Sequence, residues 1–455
     1  MSEVFDVVVI GAGPAGENAA GRCAAGGLSV AIVERELVGG ECAYWGCIPS
    51  KALLRPGDAL AAAGRVPGAA RAAADPVDVA AALAWRDRLT GGWRDGGQLH
   101  WLAERGIELI RGHGRLAGER VVAVERDDGS VPRVTARHAV VIATGTAAVM
   151  PPIPGLREVE PWDNRDVTAV KELPGRLLVL GGGTIGCEMA QALRRLGRGQ
   201  VTVVEALERL LAQEEPFAGA QVRDAFEAEG ITVLTGVRMT AARRDSSGVV
   251  AALDDGRQLA ADELLVAVGR RPATGDLGLD TVGLEPGRFI PVDGQLRVPG
   301  HDWLYAVGDC NGRALLTHMG KHQARLAGDV ILGKKVTDLA VVPRVTFTDP
   351  QVCAVGLTEA QARERGMDVV AVETPTGGVA GASTMGEGIG GTSKLVICDD
   401  LIVGATFTGP GVAELLHSAT IAIVGEVPMS RLWHAVPSFP TISEVWLRLM
   451  EAYGL

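Results

Sequence analysis

Two cysteines stand close together in GGECAYWGCIPSK, residues 39–51. Three chemistries use a pair such as Cys42 and Cys47: a metal clip, a structural disulfide, or thiols that cycle between dithiol and disulfide. A zinc site wants four ligands, often from two close pairs. The other five cysteines, Cys23, Cys187, Cys310, Cys353 and Cys398, are isolated and read as small buried apolar residues. No metal is expected. A structural disulfide is disfavoured in a reducing cytosol, which leaves redox work. Pro49 suits the first turn of a helix, and SKALLRP continues it to an expected stop at Pro56. Cys47 then lies at the helix N-terminus, where the positive end of the dipole stabilises a thiolate. Lys51, one turn further on, adds a cation.

A thiol pair needs a partner to exchange electrons with, and the chain supplies one pattern twice. DVVVIGAGPAG leads to SVAIVE; much later LLVLGGGTIG leads to VTVVE. Each is an apolar β-branched run, a glycine turn, a helical stretch and a second strand ending in Glu, which is a βαβ unit. Gly11, Gly13 and Gly16 have G-x-G-x-x-G spacing, as do Gly181, Gly183 and Gly186. In that spacing the first glycine makes the tight turn, the second admits a pyrophosphate, and the third lets helix and strand pack closely. Glu34 and Glu205 end the second strands, placed to hold ribose hydroxyls. Two dinucleotide sites on one chain imply an electron relay. Glu205 favours NADH, because a carboxylate repels a 2′-phosphate; Arg209, four residues on, would soften that preference.

The totals set outer limits. At 455 residues the chain is long enough for about three domains. Its net charge of −11 excludes a nucleic-acid surface and does nothing to attract an anionic membrane. No stretch of 18 apolar residues is present, so no spanning helix is expected. MSEVFDVVVIGAG runs directly into a strand without a basic leader, and a cytoplasmic protein is expected.

GAGPAG, GGECAYWGCIPSK, GGGTIGCE, AVGRRP, YAVGDC and FPTISE, in this order, resemble the flavoprotein disulfide reductases, the class I pyridine nucleotide-disulfide oxidoreductases. Dihydrolipoamide dehydrogenase, glutathione reductase and mercuric reductase are members. The resemblance covers essentially the whole chain. It implies FAD in the first site and NAD(P)H in the second. It implies that Cys47 is the flavin-facing thiol, that Cys42 is the interchange thiol, and that Lys51 lies by the flavin and pairs with Glu188. Asp309 would bind the flavin ribityl chain, Thr144 and Gly145 would lie by the FAD, and Gly269 and Arg270 would border the second nucleotide. The last domain would form a homodimer, with FPTISE completing the partner's active site.

The sequence departs from the family where the last proton moves. Disulfide-reducing members place His directly before Pro-Thr near the C-terminus, with Glu five residues after it. Here Pro440, Thr441 and Glu444 are in place, but the His position is Phe439, which carries no proton. His434, five residues earlier, is the candidate replacement. Glu41 stands where the family has Thr, and a carboxylate beside Cys42 would raise that thiol's pKa. Tyr44 and Trp45 add bulk between the cysteines.

The expected architecture is α/β: two Rossmann-like dinucleotide-binding domains, for FAD and NAD, and a C-terminal α+β dimerisation domain. Residues 1–155 and 275–340 form the FAD part, 156–274 the NAD(P) part and 341–455 the interface part. The Ala-rich run from about 57 to 85 is expected to be helical. The expected function is passage of electrons from NAD(P)H through FAD to Cys42–Cys47 and on to a disulfide or other small-molecule acceptor. The alternatives are a quinone or metal-ion reductase, and a slow-turnover redox sensor.

Overall fold

The computed structural model describes residues 3–197 and 199–455. The chain divides into two compact units. Met1–Pro49, Asp87–Val149 and Arg270–Ala340 form the first; Ser50–Arg86, Met150–Gly269 and Val341–Leu455 form the second.

The first unit is built on the strand Glu3–Ile10, in which Val7, Val8 and Val9 are fully buried. An unbroken apolar run of this kind suits a strand covered on both faces. It pairs in parallel with Val30–Glu34 on one side and Arg133–Ile142 on the other. Glu108–Arg111 extends the parallel sheet beyond Val30–Glu34, and Leu304–Ala306 runs parallel to the end of Arg133–Ile142. The start of Arg133–Ile142 pairs instead with antiparallel Val121–Glu125. Helices Pro14–Ala25 and Thr317–Ile331 cover one face, sharing a core through Ala19, Ala20, Cys23, Ala324 and Ala327. These small side chains let the two helices lie close to the sheet.

The second unit repeats the pattern. Arg176–Leu180, Gln200–Glu205, Thr232–Thr235 and Glu263–Val266 form a parallel sheet. Helix Thr184–Gly197 connects the first two. A separate antiparallel sheet runs Arg344–Thr346, Gln351–Gly356, Leu401–Gly409, Thr392–Cys398, Val370–Pro375. Helices Val412–Val424 and Val445–Tyr453 close its core around Phe407, Leu415 and Leu449. The segments RVTFTDPQVCAVG and KLVICDDLIVGATF supply four of these strands.

Pro56 does not stop the thiol-bearing helix, which runs Cys47–Gly64 with the proline inside. A proline removes one ladder hydrogen bond. Here Leu53 and Leu54 are buried at 0% and 2% exposure, and the alanines that follow propagate the helix. Gly57 admits the stem of Arg195, whose head pairs with Asp58 at 3.0 Å. The division between the units falls within this helix. The Ala-rich run is only partly α-helical. After Gly64 come a short 3₁₀ turn, Ala70–Ala73, and the helix Val79–Leu89. Pro67 and Pro76 interrupt the run, and few apolar side chains between them hold a longitudinal face.

Candidate active site

The two glycine loops are near copies. Gly11 (φ +97°) and Gly181 (φ +112°) take the left-handed backbone that only glycine adopts readily. A side-chain carbon on Gly16 would fall 1.8 Å from the Gly11 carbonyl oxygen, and one on Gly186 would fall 2.0 Å from that of Gly181. Nothing among the described residues lies within 4 Å of such a carbon on Gly13 or Gly183. The outer glycines are thus demanded by the fold itself. The middle ones leave open the space that a diphosphate would enter. Each loop is braced by its strand-end carboxylate. The Ala12 N–H donates to Glu34 at 2.7 Å, and the Gly182 N–H donates to Glu205 at 2.6 Å. A carboxylate has about four acceptor positions, so both retain capacity for ribose hydroxyls.

A second observation in the first unit fits a bound group. Thr144 Oγ1 is buried with no hydrogen-bond partner among the described residues, and a buried orphan hydroxyl is uncommon. Its Cα lies 3.2 Å from the carbon that Gly11 lacks, which puts it beside the glycine loop. Gly145 follows at φ +69°. Asp309 accepts from Thr146 Oγ1 at 2.9 Å, and burial pushes its carboxyl above the usual range. These residues fit FAD: open loop, unpaired hydroxyl and half-buried carboxyl sit in one unit.

Cys42 lies in the short helix Gly40–Tyr44 and Cys47 opens the long helix. Their sulfurs face each other at 2.7 Å. The turn between them is pinned from inside. Tyr44 is buried, its hydroxyl donates to the Val38 carbonyl at 3.0 Å, and the Trp93 indole donates to the Tyr44 carbonyl at 3.2 Å. The bulk of Tyr44 therefore fills the core rather than standing between the thiols. Cys47 Sγ lies 3.2 Å from Thr317 Oγ1, a contact no sequence motif announces. The facing Cys47 sulfur, and then burial, raise the Cys42 pKa far above the ordinary thiol value. That is the direction expected, but the expected cause was Glu41. The Glu41 carboxylate instead lies 3.6 Å from Arg270.

Arg270 itself donates to Thr146 Oγ1 at 2.7 Å and to the Thr146 carbonyl at 2.8 Å. The strand Arg270–Pro272 pairs antiparallel with Thr146–Ala148. Gly269, just before it, has φ +135°. Cys23, Cys187, Cys310 and Cys353 are fully buried as expected, but Cys398 is only half-buried and faces the Asp399 carboxylate at 3.7 Å. Burial pushes Cys310 up to about 12.

In the second unit Lys51 Nζ lies 2.7 Å from Glu188 Oε2, the pair named from the resemblance. The other Glu188 oxygen accepts from the Phe347 N–H at 2.9 Å, and the ammonium lies 4.8 Å from the Phe347 ring centre. Phe347 escaped the sequence analysis because its contribution is a backbone donor and a ring face. Arg209 Nη2 donates to the Ala212 and Glu214 carbonyls.

Near the C-terminus Phe439 is 76% exposed. Glu444 is buried and accepts from the Gly381 N–H at 3.0 Å. His434 and Glu444 both line a cavity of about 370 Å³, walled by Trp433, Phe439, Leu447 and Met450. No helix among the described residues is long and apolar enough to cross a membrane.

Residues 5–324 match the pyridine nucleotide-disulphide oxidoreductase family, and residues 342–450 match its dimerisation domain. The dihydrolipoyl dehydrogenase of Thermus scotoductus is 34% identical over 99% of this chain and 97% of its own length. The mercuric reductase of Streptomyces lividans is 34% identical over 94% of this chain and 93% of its own. The Cu(II) complex of the HOCl-induced flavoprotein disulfide reductase RclA from Escherichia coli superposes with a TM-score of 0.87 at 26% identity, covering 99% of both chains. LpdA from Mycobacterium tuberculosis shares the fold over the full length of both, with a TM-score of 0.88 at 24% identity. The chain thus belongs to the pyridine nucleotide-disulphide oxidoreductase family, FAD-dependent enzymes that pass electrons from NAD(P)H to a redox-active disulfide.

Proposed function

We propose that this enzyme takes electrons from NADH and delivers them through Cys42 and Cys47 to an acceptor that needs no proton from position 439. The carrying observation is the pair of sulfurs facing each other at 2.7 Å in a chain whose proton-donor position is an exposed phenylalanine. Bound FAD would accept hydride and pass on an electron pair. Glu34, Thr144, Gly145 and Asp309 would hold it, with Gly11, Gly13 and Gly16 under its diphosphate. Gly181, Gly183, Gly186, Glu205, Gly269 and Arg270 are assigned to the nicotinamide nucleotide. Glu205 supports NADH, with Arg209 held at Nη2 by the Ala212 and Glu214 carbonyls.

Cys47 is assigned as the flavin-side thiol and Cys42 as the thiol that meets the acceptor. The Lys51–Glu188 pair would keep a fixed positive charge on the long helix. Residues 1–155 and 275–340 are assigned to FAD, 156–274 to NAD(P) and 341–455 to a homodimer interface. In that assembly FPTISE and Glu444 would face the partner's thiols. A working dithiol suits the reducing cytoplasm.

The acceptor follows from the missing proton donor. When a dithiol reduces a disulfide, Cys42 sulfur attacks, a mixed disulfide forms, and a thiolate leaves that must be protonated. With Phe439 in place that proton comes from water or from His434. The ground plan is that of dihydrolipoamide dehydrogenase, but disulfides with acidic leaving thiols should be better substrates than lipoamide. A second reading is favoured by two relatives, a mercuric reductase and a protein solved with Cu(II). A soft metal ion binds thiolates and takes electrons without a leaving thiol to protonate.

An acceptor screen tests both. Lipoamide, an aromatic disulfide, a quinone and Cu(II) or Hg(II) are offered to wild type, Cys42→Ser and Cys47→Ser under anaerobic NADH. Loss of turnover in both variants identifies an acceptor served by the thiols. Turnover that survives both substitutions with every acceptor would refute the thiol route.

A further inference from the structure

The family's threonine position beside the first thiol is Glu41, a carboxylate next in sequence to a sulfur that must ionise to react. An unneutralised carboxylate within about 4–6 Å disfavours a thiolate, so this residue ought to hinder the chemistry. The structure contains a device that answers the conflict. Glu41 Oε2 lies 3.6 Å from Arg270 Nη2. Arg270 is fixed in turn by two hydrogen bonds to Thr146, and Thr146 is fixed by Asp309. Arg270 is only 16% exposed at its side chain, so its guanidinium has little freedom to leave.

We propose that Arg270 is a positioning residue for the thiol pair: by clamping Glu41 it holds that carboxylate off the Cys42 sulfur. The proposal rests on Cys42 being a working thiol. It goes beyond that reading by assigning to Arg270 a task toward the dithiol in addition to the nucleotide. The charged and polar groups around Cys42 are consistent with it. Cys47 and Thr317 face the sulfur, and Lys321, one turn along the helix from Thr317, acts on it as a cation. Glu41 is not among the groups that most affect Cys42. On Asp309 the two act in opposite directions, Arg270 lowering and Glu41 raising its carboxyl.

The test is a rescue experiment on dithiothreitol-reduced, FAD-loaded protein. The rate of Cys42 alkylation by iodoacetamide is followed by peptide mass spectrometry from pH 6 to pH 10. Arg270→Gln removes the cation that faces Glu41, and alkylation at neutral pH is expected to slow about tenfold, the equivalent of one pKa unit. Arg270→Lys keeps a cation without the fork and should fall between. Glu41→Gln alone should change the rate less than twofold, since its charge is already neutralised. The double variant Glu41→Gln/Arg270→Gln should return to within about twofold of wild type. A merely structural role for Arg270 would leave the double variant as impaired as the single one. That result, or an Arg270→Gln protein that alkylates at the wild-type rate, overturns the proposal. Full acceptor turnover by Cys42→Ser would instead overturn the reading beneath it.

Discussion

The two glycine loops share a backbone, a bracing carboxylate and a glycine spacing, and they differ in what stands after the third glycine. In the first, Glu17 follows Gly16 directly. Burial drives its carboxyl up to about 7 even though Lys321 pulls the other way. In the second, Glu188 follows Gly186 by two residues and meets Lys51 at 2.7 Å and the Phe347 N–H at 2.9 Å. One offset along a helix separates a carboxyl that resists ionising from one built into an ion pair. The lesson is that a repeated motif fixes the backbone of the loop, while the residues just beyond it set the charge presented beside it.

The strongest break in the likeness would come from the glycines. Gly16→Ala and Gly186→Ala force a carbon onto a carbonyl oxygen at 1.8 and 2.0 Å. Soluble expression should be largely lost for both, because such overlap cannot relax cheaply. Gly13→Ala and Gly183→Ala should fold normally and fail only in binding. The first would lose FAD occupancy and the second would raise KM for NADH, read by flavin absorbance and steady-state kinetics. Equal folding defects in all four would erase the distinction between packing and binding glycines.

A smaller effect separates the two partners of the ion pair. Lys51→Met leaves Glu188 charged while only 3% of its side chain is exposed, a cost of about 3 kcal/mol. Glu188→Gln leaves Lys51, whose side chain is 37% exposed, to be solvated, at roughly 1 kcal/mol. Urea unfolding of the two variants measures the ordering, and the reverse ordering would contradict the burial argument.

Smaller again is the cofactor choice. Glu205→Ala should raise kcat/KM for NADPH relative to NADH about tenfold, the scale of one lost charge contact. An unchanged ratio would remove Glu205 from the selectivity.

A further test is the pH response of Glu17. A carboxyl whose folded pKa is raised supports the fold below its unfolded pKa, near 4.5, and loses that support as pH rises through about 7. Glu17→Gln should match wild type at pH 4.5 and melt a few degrees higher at pH 8. Parallel Tm curves across that range would show that Glu17 ionises freely.

Much of the site was legible because its chemistry is local. The glycine spacing, the strand-end glutamates and the two cysteines lie within single βαβ or turn-helix segments, where the periods of helix and strand are set by neighbours in sequence. Lys51 and Glu188 were legible only through the resemblance, since nothing in either segment names the other. Thr317 beside Cys47, Phe347 beneath Lys51 and Arg270 against Glu41 were not legible as contacts at all. The helix passing through Pro56 was misread because local propensity counts the lost hydrogen bond but not the burial of Leu53 and Leu54.

By itself, then, the sequence determined the two dinucleotide loops, the thiol pair and the absence of a histidine at position 439, because each is written in consecutive residues. Tertiary structure alone decided which charges meet. Glu41 lies against Arg270, and Glu188 against Lys51 and the Phe347 backbone, because electrostatic interactions depend on distance in space and on burial, and neither is recorded in the order of the residues.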